Sequence, residues 1–179
     1  RCLILKEMNS QVSYDHSNGF NYIIAPFLEA VSVEEQFRET AVKEVFMPLV
    51  REVTESGFCE SQLESLHLPS LQKANFCSFS CNSFVSINLS SLKTLDQNCS
   101  FTNCQNLKLF IALKLQNISE YCFYDCSNLE TVLTPKAMIY NGAFYFCPEI
   151  KTVLALKGDF WCDCRHCPHC NGTLQQCIE

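Results

Sequence analysis

The sequence predicts an α/β-type repeat solenoid of about seven units, each 21–23 residues long and each contributing one short parallel strand and an irregular return segment. Three observations carry that expectation. The spacing of Phe144, Cys147, Ile150, Val153 and Ala155 returns as Phe123, Cys126, Leu129, Val132 and Thr134, and again as Phe101, Cys104, Leu107, Phe110 and Ala112. A unit that recurs at a fixed period is the signature of a stacked array. Apolar residues keep to fixed columns, and two of those columns, separated by a single residue, have the period of a strand with one face buried. Proline follows that strand at Pro26, Pro48, Pro69 and Pro135, where its missing donor suits a strand end.

With the cysteine position as anchor, the units align on Ser17, Glu39, Glu60, Cys81, Cys104, Cys126 and Cys147, with gaps of 22, 21, 21, 23, 22 and 21 residues. Three residues past the anchor stand Phe20, Val42, Leu63, Phe84, Leu107, Leu129 and Ile150. Six past it come Ile23, Val45, Leu66, Ile87, Phe110, Val132 and Val153, and eight past it the smaller set Ala25, Met47, Leu68, Leu89, Ala112, Thr134 and Ala155. A column fourteen past runs Val31, Val53, Ala74, Leu95, Ile118 and Tyr140. An aromatic precedes each anchor by two or three residues: Tyr14, Phe37, Phe58, Phe79, Phe101, Phe123 and Phe144. No unit can bury its apolar face alone, so neighbours must stack, and their parallel strands then form one long sheet. That is a leucine-rich-repeat solenoid. Leu3 and Leu5 fit the inward positions of a still earlier strand, whose raw apolar end leads us to expect a longer array upstream. The solenoid is expected to fill residues 1–158, with its first repeat truncated, and a cysteine-rich cap or tail to fill residues 159–179.

Hydrophobic residues are 47% of the chain and charged residues 18%, which excludes a disordered polar chain. No apolar run approaches the roughly 18 residues that span a bilayer. The apolar part of the N-terminus is too short for a signal peptide. Between Glu29 and Glu64 nine Glu face only Arg38, Lys43 and Arg51, and the net charge is −6. Phosphate-backbone binding needs clustered Lys and Arg, so no nucleic-acid partner is expected. The four histidines, His16, His67, His166 and His169, make no triad spacing, and no phosphate loop or pocketed carboxylate pair can be assembled. No catalysis is expected.

The segment Ala143-Phe144-Tyr145-Phe146-Cys147-Pro148-Glu149-Ile150-Lys151-Thr152-Val153 resembles the BspA-like leucine-rich repeats of bacterial and protist surface proteins. The likeness extends over nearly the whole chain up to about Gly158, with Ser17, Glu39 and Glu60 departing from cysteine at the anchor. The resemblance implies a binding or adhesion scaffold on a cell surface or secreted, without catalysis. A cytoplasmic scaffold with reduced thiols is the alternative.

The chain carries fourteen cysteines. Cys81, Cys104, Cys126 and Cys147 are expected to form a structural column of small buried thiols. Cys77, Cys99 and Cys122 form a second set four or five residues earlier, and bridges between the sets are a further reading whose connectivity spacing does not fix. The tail concentrates Cys162, Cys164, His166, Cys167, His169 and Cys170, with Cys177 beyond. It reads first as a disulfide-stapled cap, with Phe160 and Trp161 lying over the end of the core. A zinc site built from Cys162, Cys164, Cys167 and Cys170 is the second reading, because Cys167-Pro168-His169-Cys170-Asn171-Gly172 has the form of a zinc knuckle. A redox Cys-x-x-Cys pair lacks its βαβ setting. No other cofactor is expected. Glycosylation sequons begin at Asn88, Asn98, Asn117 and Asn171.

Residues between the inward strand positions should face outward on a concave sheet, where solenoids commonly bind. These are Ile24, Phe46, His67, Asn88, Ile111, Leu133 and Leu154, with Leu109 alongside. The apolar stripe of Leu109, Ile111, Leu133 and Leu154 is therefore the expected contact for a protein or surface ligand, or for a second copy of the chain.

Overall fold

A computed structural model describes residues 1–95 and 98–158. Its strands are β1 (Cys2–Ile4), β2 (Tyr22–Ile24), β3 (Ala30–Val31), β4 (Glu44–Phe46), β5 (Glu52–Val53), β6 (Ser65–His67), β7 (Lys73–Ala74), β8 (Ser86–Asn88), β9 (Thr94–Leu95), β10 (Leu109–Ile111), β11 (Asn117–Ile118), β12 (Thr131–Ile139) and β13 (Thr152–Gly158). Every pairing is parallel and joins one unit to the next. The primary face is made by β1-β2-β4-β6 and then β8-β10-β12-β13, with the ladder interrupted between β6 and β8. β2, β4, β8 and β10 bury their middle residue and turn the two flanking residues outward, as the alternation requires, while the middle residues of β1 and β6, Leu3 and Leu66, are half-buried.

Two expectations need correction. No helix occurs among the described residues, so the α/β label fails and the molecule is an all-β solenoid. A unit of 21 to 23 residues is used up by extended segments and tight turns, which leaves no run for a helix. Each unit also supplies a second strand, not one alone. The two-residue strands β3, β5, β7 and β9 form a separate parallel sheet, and β11 carries that face on to the far end of β12. Their buried members, Val31, Val53, Ala74, Leu95 and Ile118, are the column fourteen past the anchor. The next position is Ile139, which pairs with Ile118 and is buried, whereas Tyr140 is 50% exposed. Pro135 does not end its strand either. The extended chain runs on to Ile139, and its register against β13 shifts between Thr134 and Met138 around the missing donor.

The return segment closes the coil without a regular strand. Its backbone alternates: Phe37, Phe58, Phe79, Phe101 and Phe123 each donate their N–H to the next coil, while the intervening amides close tight turns on themselves. Two residues per turn take left-handed backbone. Glu35, Ser56, Cys77, Cys99, Tyr121 and Gly142 form one such column, and Glu39, Glu60, Cys81, Asn103, Asp125 and Phe146 the other, with φ from 49° to 70°. Non-glycine residues pay about 1–2 kcal/mol there, which the paired amides offset. Between these columns the rings of Tyr14, Phe37, Phe58, Phe79, Phe101, Phe123 and Phe144 stack in unbroken sequence, with centroids 5.1–5.8 Å apart and planes within 13° of parallel. Phe110 meets Phe101 and Phe123 edge-on from the primary sheet. The core is thus one apolar cylinder with an aromatic spine.

Candidate functional site

The cysteine column is a structural device, and its membership differs from the expectation at one position. Cys104, Cys126 and Cys147 are fully buried, and their thiols donate to the carbonyls of Phe79, Phe101 and Phe123 at 3.3, 3.1 and 2.9 Å. Ser61 makes the same bond to Phe37, and Asn82 donates to Phe58 at 2.7 Å. Cys81 is exposed and lies outside the column, because Asn82 takes its place. Ser61 and Asn82, not Glu60 and Cys81, are therefore the anchors of their units, and buried Thr40, whose hydroxyl donates to Phe37 O within its own coil, takes the place of Glu39. On that count every ring from Phe37 to Phe144 stands three residues before its anchor. The extra residue was hidden because early units compensate with a turn one residue shorter after the anchor. Burial holds Cys104 and Cys126 high, and Cys104 is pushed up to about 12. A thiol so placed is a donor in a packed wall, not a nucleophile.

The outward side of the primary face is the other feature the repeat creates. Its strands are too short to bury a side chain against anything but the core, so alternate residues are left toward solvent. Register aligns Ile4, Ile24, Phe46 and His67 in one row, and Asn88, Ile111, Leu133 and Leu154 in a second. Leu154 is 39% exposed, whereas Ile111, Leu133 and the neighbouring Leu109 are half-buried. The N-terminal row is the more open. Ile4 is 57% exposed, Phe46 43% and Ile24 40%. Phe46 and His67 stack at 4.8 Å with planes 4° apart. With Cys2, Tyr22, Glu44 and Ser65 they line a shallow cleft of about 520 Å³ in which Glu44 is the one carboxylate. Sequence reasoning placed Ile24, Phe46 and His67 on this face but weighted the C-terminal stripe, because it counted apolar letters and not the shielding of Ile111 and Leu133 by neighbouring strands.

Along one rim, ion pairs link successive coils, Lys43 to Glu64 and Lys151 to Glu130, each at 2.8 Å. The bond to Glu64 raises Lys43, and the bond to Lys151 lowers Glu130. Both pairs are exposed, so they set register more than they stabilise. Among the described residues no group of three or more His, Cys, Asp or Glu is arranged to hold a metal ion, and no helix is long and apolar enough to cross a membrane. The tail residues Cys162, Cys164, Cys167 and Cys170 lie outside the described residues.

Comparison with known proteins agrees with this geometry. A family model described as a BspA type leucine rich repeat region matches residues 33–154 in six copies. The crystal structure of a leucine-rich repeat protein from Bacteroides ovatus superposes with a TM-score of 0.64 at 11% identity, over 93% of this chain and 62% of that one. At that identity the likeness is one of fold, and this chain spans less than two thirds of the other's length. Among curated proteins none matches.

Proposed function

Because the chain belongs to the BspA type leucine-rich repeat family, we propose that it is a non-catalytic interaction and adhesion module that binds a protein or surface ligand through the outward side of its primary sheet. The carrying observation is the row Ile4, Ile24, Phe46 and His67, a run of exposed apolar and aromatic side chains in register on successive parallel strands. Solvent-facing apolar rows of this length are costly unless something covers them. The half-buried Leu109, Ile111 and Leu133, with the exposed Leu154, extend the same face. Solenoids of this kind present extended binding surfaces, and a cell-surface or secreted setting suits adhesion.

The test is substitution of an outward residue by a charge. Leu133→Asp and Phe46→Asp should each abolish capture of the partner, or self-association by light scattering, while the unfolding transition stays cooperative. Unchanged capture and unchanged oligomeric state in both variants would sink this reading.

A second reading is an intracellular scaffold with reduced thiols and a zinc-bound tail, favoured by the knuckle spacing Cys167-Pro168-His169-Cys170. Zinc in the purified chain with free Cys162, Cys164, Cys167 and Cys170 supports that reading, and paired tail cysteines without metal support the surface one.

A further inference from the structure

The cleft on the N-terminal half of the primary sheet holds one residue that an apolar contact does not explain. Of the outward side chains held in register from β1 to β10, Glu44 is the one acid, and none is Lys or Arg. Its carboxylate is exposed and makes no hydrogen bond or ion pair with any described residue. Neighbouring cations are engaged elsewhere. Lys43 holds Glu64 at 2.8 Å, Arg38 holds Glu35 and Glu39, and Lys73 holds Glu52. A single unpaired carboxylate beside an apolar row is complementary to a cation brought from outside.

Resting on the assignment of binding to this face, we propose that the cleft takes a Lys or Arg side chain of a protein partner, flanked there by apolar residues, with Glu44 as its counter-charge. Glu44 and Phe46 leave one strand on the same side, about 6.6 Å apart along it. The methylenes of a long basic side chain can lie over Phe46 and Ile24 while the charged head reaches Glu44. Tyr22 and Ser65 flank Glu44 in register and line the same cleft. Their hydroxyl oxygens can accept from N–H groups of the head that the carboxylate leaves over. The apolar flanks of the partner segment then cover Ile4 and Ile24, the open end of the row.

Glu44, not the rings, supplies the attraction. Phe46 and His67 turn their faces to each other at 4.8 Å, which leaves ring edges toward the incoming group. An aromatic edge is positive and does not draw a cation. A metal ion is the poorer match, because a lone carboxylate offers too few oxygens to hold a hard divalent cation. An acidic or phosphorylated partner would meet a like charge on the one charged side chain of the cleft.

The experiment measures binding of the full chain to an array of synthetic nonapeptides whose central residue is Lys, Arg, norleucine or Glu and whose flanks are drawn from Val, Ile, Thr and Ser. Lys and Arg peptides should bind about fivefold more tightly than their norleucine counterparts, an advantage that shrinks as salt is raised. Glu44→Gln should remove the advantage, and Glu44→Lys should transfer it to the Glu peptides. Phe46→Asp should weaken the norleucine peptides, which Glu44→Gln should not. Norleucine peptides that bind the parent chain as well as Lys peptides do, and are lost in Phe46→Asp, overturn the choice of a cation and leave the binding face standing. A Lys preference that survives in Glu44→Gln overturns the proposal, as does the absence of binding by every peptide. Self-association of the parent chain that Glu44→Lys abolishes would place a second copy in the cleft and overturn it too. The comparison of Lys with norleucine on the unaltered chain decides the matter even if a variant fails to fold.

Discussion

At the scale of single residues, the return segment is held by side chains that answer carbonyls which the turns cannot. Asn82 is the most heavily used of them. Its amide donates to Phe58, Phe79 and Ser80, and its oxygen accepts from the amide of Leu63. Asn82→Ala should therefore cost at least the about 1–3 kcal/mol of one buried group left unpaired, measured by urea unfolding. Cys126 makes a single such bond, to Phe101 O, and Ser61 shows that a hydroxyl can make it. Cys126→Ser should stay close to the parent stability, while Cys126→Val should not, because it leaves that carbonyl unpaired. A large loss in the serine variant would mean that the thiol does something more than donate. The apolar and aromatic columns were legible in the sequence because apolar letters recur at a fixed spacing. The anchor of the early units was not, since Thr40, Ser61 and Asn82 share a donor function but no letter.

At the scale of the repeated element, two things govern the coil: the ring spine and the left-handed pairs beside it. Phe101 is fully buried between Phe79 and Phe123, with Phe110 against its edge. Phe101→Ala should cost about 3–5 kcal/mol, and denaturant unfolding should show it without loss of the parallel-sheet circular dichroism signal. Just before the ring, the wall needs a small residue. A methyl on Gly57 would lie 2.7 Å from a Val53 methyl and 3.1 Å from one of Val31. Gly57→Ala should therefore destabilise by about 1–3 kcal/mol through overpacking, whereas a gain in stability would show that the wall can yield. The left-handed columns gave almost no sign of themselves in the sequence. Such positions usually read as Gly or Asn, yet here they are filled mostly by Glu, Cys, Ser and Tyr, with Asn103 and Gly142 as conventional choices. The second strand was missed for a related reason. Two residues carry no periodicity of their own, so the apolar column they supply was visible without its strand.

At the scale of the whole molecule, the solenoid separates what holds it together from what it shows. Inward columns, ring spine and anchor donors are shared by successive coils, while the outward strand positions vary from Ile24 and Phe46 to His67, Asn88 and Leu133 without disturbing the stack. Variation on a constant frame is what an interaction surface requires. Which residues face outward was readable from the strand period alone. How open each one stands was not, because shielding depends on neighbours in the next coil. The tail adds a prediction at this scale: free-thiol counting on the native chain should find Cys162, Cys164, Cys167 and Cys170 paired and zinc absent, the reverse result moving the protein to the intracellular reading. The outward face itself is tested most directly by site-specific photocrosslinking, with a benzophenone side chain placed in turn at positions 46, 133 and 114. Position 114, an exposed lysine outside the primary strands, is the control. Crosslinked species from 46 and 133 but not from 114 are the predicted result. Equal crosslinking at all three, or crosslinking at 114 alone, would contradict the assignment of binding to this face.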